Sequence, residues 1–277
     1  MKKSLKNLCL LAILSFATFS CKKDETSPNS LDSSTQQAVE ERNISSDFED
    51  DHTSINDYAA KIDPKSAGGR VEGTWLGAGQ TSYSILTRTL TIDFGTTNVM
   101  CTDNKKRRGK IFIRFTEGEP RTPDHKTTTT QENYYVNDIK VEGVRVDVVK
   151  ISLNNNVVNS LRDIIVTNRK LTFTDQTTLT ESSNYKANGT VNLLTGSWEY
   201  TLKGQSTGIG RRGNAFSTNI ATPILVKSSC ATTPPISGKL EITPVVATDK
   251  ITIDYGDGTC DRVATVTFRT QTVTVNF

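Results

Sequence analysis

From about Val71 to Phe277 the chain alternates apolar and polar residues with a period of two. Ile111, Ile113 and Phe115 fall on one side of a segment whose other side carries Phe112, Arg114 and Thr116; Val144, Val146 and Val148 oppose Arg145 and Asp147. Leu171 with Phe173, then Trp198, Tyr200 and Leu202, then Leu240 with Ile242, then Ile251, Ile253 and Tyr255, and last Val273, Val275 and Phe277 repeat the pattern. Successive side chains of a strand point to opposite faces, so this alternation predicts half-buried strands, which belong to antiparallel sheets. Between them stand "NDIKVEG", "NNN", "NLLTGS" and "GDGTCD", clusters of Asn, Asp and Gly that tolerate the left-handed backbone of tight hairpin turns. No helix-length segment interrupts the region, which argues against parallel βαβ units. The expected fold is mainly all-β: a long-stranded antiparallel meander over residues 67–277, built as a curved sheet or as a two-layer sandwich.

The period changes upstream. Ile55, Tyr58, Ala59 and Ile62 are spaced i, i+3, i+4 and i+7, Ser46 and Glu49 match a capping box, and Pro64 supplies a stop. A single short helix over residues 47–63 is predicted, its apolar stripe docked on the sheet. Its polar side is acidic, which speaks against an amphipathic membrane-surface helix. Residues 21–46 hold few large apolar groups and read as a flexible, acidic tether, because such a segment buries too little surface to offset its ordering entropy.

The first twenty residues have a third pattern. Lys2, Lys3 and Lys6 precede an apolar run from Leu8 to Phe19, too short to span a bilayer, which needs about 20 residues. The run ends in "TFSC". This arrangement resembles the signal of a bacterial lipoprotein, in which a small residue directly precedes a cysteine that is lipidated and becomes residue one. It departs from the strict pattern at Thr18, where Leu is usual, and follows the looser form common in Bacteroidota. The next residues, "KKDE", resemble the Lys-plus-acidic tag of surface-exposed lipoproteins in that phylum. The resemblance implies lipidation at Cys21 and attachment to the outer membrane, exposed at the cell surface or, alternatively, facing the periplasm. At about 0.8 kcal/mol per buried CH₂, several acyl chains hold a protein firmly on a membrane. The other reading is an ordinary secreted protein with a chance cysteine.

Composition refines this picture. The 277 residues include 41 threonines, a strand-favouring bias, and allow one or two domains with a proper core. The 33 basic and 30 acidic residues become 30 and 30 once residues 1–20 are set aside, so the net charge of +3 carries no signal for nucleic acid. Residues 21–66 carry a net −6 and residues 67–277 a net +6. A mildly basic body suits an anionic glycan or lipid headgroups, although charge of this size is more often incidental; an envelope protein is the other candidate partner.

Three cysteines remain beyond Cys9 and Cys21. An exported chain meets an oxidising compartment, so one disulfide and one odd thiol are expected. Cys230 with Cys260 is the preferred pairing, since two hairpin-connected strands lie between them; Cys101 with Cys260 is the alternative. These last two sit in an internal echo: "TLTIDFGTTNVMCTD" before "RRGKIFIRF", and "KITIDYGDGTCD" before "RVATVTF". With a preceding "SSC", this pattern resembles a family of uncharacterised Bacteroidota lipoproteins over most of residues 45–277, a resemblance that brings no activity, substrate or catalytic residue with it.

Candidate chemistry is sparse. Asp254, Asp257 and Asp261 in "DYGDGTCD" form a weak calcium candidate, against the ordinary role of Asp-Gly in turns. His52 and His125 are the only histidines, no CxxC or paired-His spacing suggests zinc, and no GxSxG elbow is present. The basic runs Lys105–Lys110 and Gly208–Asn214 are expected on hairpin loops, and lack the interleaved aromatics that bind single-stranded nucleic acid. Trp75, Trp198, Tyr134 and Tyr135 suit sugar stacking, but at strand spacing they suit a core better. A membrane barrel is disfavoured because the outer faces carry Thr and charge. The sequence therefore points to a non-enzymatic, membrane-anchored binding or structural module without a cofactor, with a hydrolase of surface polysaccharide or envelope polymer as the alternative.

Overall fold

The computed structural model describes residues 33–61, 73–230, 235–244 and 249–276. The lipoprotein-like segment 1–20, Cys21 and the first part of the tether lie outside the described residues, as does Pro64.

Among the described residues one helix and fifteen strands follow one another: α1 Ser33–Lys61, β1 Gly73–Trp75, β2 Gly79–Ser84, β3 Thr89–Asp93, β4 Val99–Met100, β5 Lys106–Glu117, β6 His125–Val136, β7 Ile139–Asn154, β8 Val157–Thr172, β9 Thr178–Asn192, β10 Trp198–Ile209, β11 Ala215–Lys227, β12 Ser237–Pro244, β13 Ile251–Asp257, β14 Val263–Phe268 and β15 Gln271–Asn276. The strands form one antiparallel sheet in which each pairs with its neighbours in sequence; only β4 stands off the path, paired with β5 alone. The sheet does not close, because β1 and β15 are its two ends. Of the two expected architectures, the single sheet covered by a helix is the one found, and no second sheet packs on it among the described residues.

Fourteen strands at about 4.8 Å spacing would make a flat sheet about 65 Å wide, whereas a 29-residue helix is about 43 Å long and only about 10 Å thick. Yet side chains on the helix-bearing face are buried from Trp75 in β1 to Phe268 in β14. The sheet must therefore curl around the helix. Bulges supply the bend: pairing shifts register at Gly109 in β5, Gly143 in β7 and Gly204 in β10. At Gly204 the backbone has φ +141°, and a Cβ would stand 2.2 Å from the Asn184 carbonyl oxygen.

Two apolar clusters result. Phe48, Ile55 and Ala59 of α1 pack with Leu90, Ile92, Ile111, Ile113, Phe115 and Leu171; Ala38 and Val39 pack against the second cluster, of Ile220, Leu240, Ile242, Ile253, Val266 and Phe268. Between them the face under the helix is polar.

The helix corrects the expected domain bounds. It starts at Ser33, so residues 33–46 are helical rather than tether, and Ser46 lies inside the helix rather than at its cap. The physical reason is the polar seam: the inward positions Thr35 and Ser45 are buried but not apolar, so no hydrophobic stripe marks this half of the helix. Two further expectations change. The basic run Lys105–Lys110 lies mostly in β5 rather than on a loop. And β7 turns the unexpected side inward: Arg145 and Asp147 are buried, while Val144 faces water.

Candidate ligand-binding cavity

A cavity of about 150 Å³ lies between the N-terminal half of α1 and the sheet from β9 to β14. Its walls are apolar: Ala38 of the helix, Phe216 of β11, Ile242 and Pro244 of β12, Ile251 of β13 and Phe268 of β14. The inward ends of these strands follow the period-two pattern read from the sequence. Its deep end is polar, with Arg42, Ser45, Glu181 and Thr218; its outer end carries Glu41 and, at the β10–β11 turn, Arg212 and Asn214. Glu41 fixes that turn to the helix, accepting hydrogen bonds from Gln37 Nε2 (2.6 Å) and from the Arg211 amide (3.0 Å).

Glu181 dominates the deep end. Its Oε2 accepts hydrogen bonds from Ser45 Oγ and Arg169 Nη2. Its Oε1 has no hydrogen-bond donor among the described residues, and Arg42 Nη1 lies 4.0 Å away. Burial alone would push this carboxyl group up, but the charges of Arg169 and Arg42, with the Ser206 and Ser45 hydroxyls, hold it below the usual glutamate range. It is a fixed anion and a hydrogen-bond acceptor, not a proton donor near neutral pH.

The seam beyond the cavity is built from similarly committed groups. Arg169 also donates to Ser45 Oγ (2.6 Å). Arg145 forms a two-pronged pair with Asp147 (2.7 and 2.9 Å) and reaches Thr53 Oγ1 at 3.0 Å. Asn56 Oδ1 accepts from Thr127 and Thr129 (3.0 and 3.2 Å). The imidazole of His52 is bonded through both nitrogens, Nδ1 at 2.9 Å from the Phe48 carbonyl oxygen and Nε2 at 3.0 Å from Gln131 Nε2.

Other sequence candidates are distributed differently. Cys230 and Cys260 form the disulfide, with Cα atoms 5.4 Å apart, and Cys101 is a buried thiol outside it. Asp254 binds Lys239 Nζ (2.9 Å) and the Gly256 amide (3.0 Å), Asp257 the Thr259 amide (3.2 Å), and Asp261 the Val263 amide (3.1 Å) and Thr259 hydroxyl (3.0 Å). Each carboxylate caps a turn, and no three metal-ligating side chains converge among the described residues. The echo is real in its turn: Asp93 Oδ1 accepts from the Gly95 amide at 2.8 Å, as Asp254 does from Gly256. Trp75 and Tyr134 are core residues, joined to the buried Arg107, which also pairs with Asp103 (2.8 and 2.7 Å). Tyr135 lies against the Arg108 guanidinium, 3.7 Å from its ring centre. Trp198 and Tyr200 lie half-exposed, their rings 6.1 Å apart and nearly parallel.

Sequence reasoning did not find the cavity. Ile242 and Ile251 are legible as inward residues, but the alternation does not single out Phe268, and the half of the helix that roofs them has no hydrophobic stripe. Glu181, flanked by Thr180 and Ser182 in a polar strand, carried no signal of its own. No family model, curated protein or solved structure matches the chain.

Proposed function

We propose that the chain is a non-enzymatic binding module, held at the outer membrane through a lipidated Cys21, that takes a small, neutral, largely apolar molecule with one hydrogen-bond donor into the cavity beneath α1. The observation that carries this reading is an apolar-walled cavity of about 150 Å³ whose deep end holds a carboxylate oxygen without a donor. An apolar cavity of this size admits a six-membered ring. A hydroxyl on that ring would reach Glu181 Oε1, which is sealed from solvent, once the side chains around the deep end yield, and a hydrogen bond to a carboxylate is worth more than a neutral one. A cation gains less, since two guanidiniums already balance the carboxylate.

A hydrolase finds no comparable support. Its general acid needs a raised pKa, whereas that of Glu181 is lowered, and both nitrogens of His52 are engaged in structural bonds. The anchor rests on the lipoprotein-like pattern ending at Cys21.

Ligand-observed NMR with p-cresol and toluene tests the site. The expectation is p-cresol binding in the millimolar range, about 4 kcal/mol, roughly tenfold tighter than toluene, with both lost in Ala38→Phe, which fills the cavity. Equal binding of the two, or binding unaffected by the filling, overturns the site. Palmitate labelling of wild type against Cys21→Ala tests the anchor separately: label that persists in the variant refutes it.

A further inference from the structure

The long strands β7 to β10 project past their neighbours at one end of the sheet. There β6 starts at His125, opposite Val149, and leaves residues 150–154 without a strand partner on that side, the Ile151 amide bonding Asp124 Oδ1 at 3.1 Å instead. The β7–β8 and β9–β10 turns lie side by side, since Val157 pairs with Asn192 and the Leu193 amide donates to the Asn156 carbonyl oxygen at 2.8 Å.

None of residues 151–161 and 187–198 is charged, in a chain whose charged share of 23% would place about five there. Apolar side chains are exposed on both faces and in the β9–β10 turn, while the β7–β8 turn itself is Asn154, Asn155 and Asn156. Leu153 (66% exposed) points to the helix-bearing face, Leu161 (55%) to the opposite face, and Leu193 (55%) and Leu194 (78%) occupy the turn. Trp198 and Tyr200 stand at the start of β10, and charge resumes at Lys150, Arg162, Lys186 and Glu199.

The amides of the β9–β10 turn are paired within the protein. Every amide from Asn192 to Trp198 has an internal acceptor: the Asn192 amide bonds the Ser197 carbonyl, Leu194 and Thr195 bond the Asn192 side chain, Gly196 bonds the Asn192 carbonyl, Ser197 bonds the Thr195 hydroxyl, and Trp198 bonds the Ser228 hydroxyl, with Leu193 as above. Loop amides in water need no such partners; amides entering a lipid phase do.

We propose that the tip of β9–β10, flanked by that of β7–β8, dips into the interfacial layer of a lipid bilayer, with Leu193 and Leu194 leading and Leu153, Trp198 and Tyr200 at headgroup level. A strand rises about 3.3 Å per residue, so two or three residues cover the 5–10 Å of an interfacial insertion. Aromatic rings with one polar edge favour that level. A second protein copy would cover one face of the tip, whereas a fluid phase surrounds both faces and the end.

Vesicle flotation of the full chain carrying Cys21→Ala, which removes any anchor at that position, tests this directly. The expected result is flotation with neutral phosphatidylcholine vesicles that persists in high salt, and quenching of Trp198 fluorescence by lipids brominated near the headgroup. The pair Leu193→Glu and Leu194→Glu should weaken flotation at least about tenfold, with the circular dichroism spectrum and melting temperature unchanged because both side chains are exposed. Flotation unaffected by the pair, binding only to anionic vesicles and lost in salt, concentration-dependent dimerisation that the pair abolishes, or capture by a glycan through Trp198 without vesicle binding would each overturn the proposal.

Discussion

Glu181 sits where burial alone would neutralise a carboxyl group, and two guanidiniums keep it ionised. Because its folded pKa is depressed, the stabilisation it brings is complete above the ordinary glutamate value of about 4.3 and is lost as pH falls through the lower folded value. Glu181→Gln leaves Arg169 and Arg42 facing a neutral amide, and should cost about 3–5 kcal/mol at pH 7. Urea unfolding at pH 7 and at pH 3 checks the sign: the gap between variant and wild type should narrow in acid, where the glutamate of the unfolded chain takes up a proton that the native one resists. A gap independent of pH would mean that shape, not charge, holds the site. Residues of this kind were the least legible in the sequence. Alternation places Arg145 and Asp147 on one face of β7 and Val144 and Val146 on the other, but it does not say which face the helix will cover. The helix brings Thr53 to Arg145, and that partner decides the orientation.

At the scale of elements, the hairpins were legible because their turns carry their own chemistry. Asn137, Asp138, Asn155 and Asn156 adopt positive φ in the predicted turns. The bends within strands were not legible, since a bulge is set by pairing across the sheet. Gly204 illustrates the difference. Gly204→Ala forces a Cβ onto the Asn184 carbonyl oxygen and the Tyr185 Cα, 2.2 and 2.7 Å away, and should lower stability by about 2–4 kcal/mol. Gly213→Ala, at φ +80° in the β10–β11 turn with nothing within 4 Å, bears only the backbone strain of about 1–2 kcal/mol. Thermal melts of the two variants should rank in that order; equal losses would remove the bulge as the cause of the sheet's bend. The helix was half legible for a related reason. Its C-terminal half shows Ile55 and Ala59 to the sheet, while its N-terminal half shows Thr35 and Ser45, and the partners of Ser45, Arg169 and Glu181, lie about 130 residues further on.

At the scale of the whole molecule, one helix serves as the shared cover of two apolar clusters, and the polar seam fixes its position between them. Strand order was implied by the run of hairpins, but the curl was not, because it follows from a sheet too wide for its cover. The disulfide closes a 30-residue segment at one end of the sheet, worth about 3–4 kcal/mol against the reduced chain. It leaves the clusters joined only through α1 and the continuous ladder. Ile55 is fully buried in the first cluster, so Ile55→Ala should cost about 2–5 kcal/mol. If the helix couples the two halves, the loss will be felt equally far away: Trp75 fluorescence, which reports the first cluster, and amide exchange around Ile253 and Val266, which reports the second, should show the same decrease in free energy. A decrease confined to Trp75 would mean that the halves unfold separately. The cavity, roofed by the N-terminal half of the same helix, would then open and close independently of the first cluster.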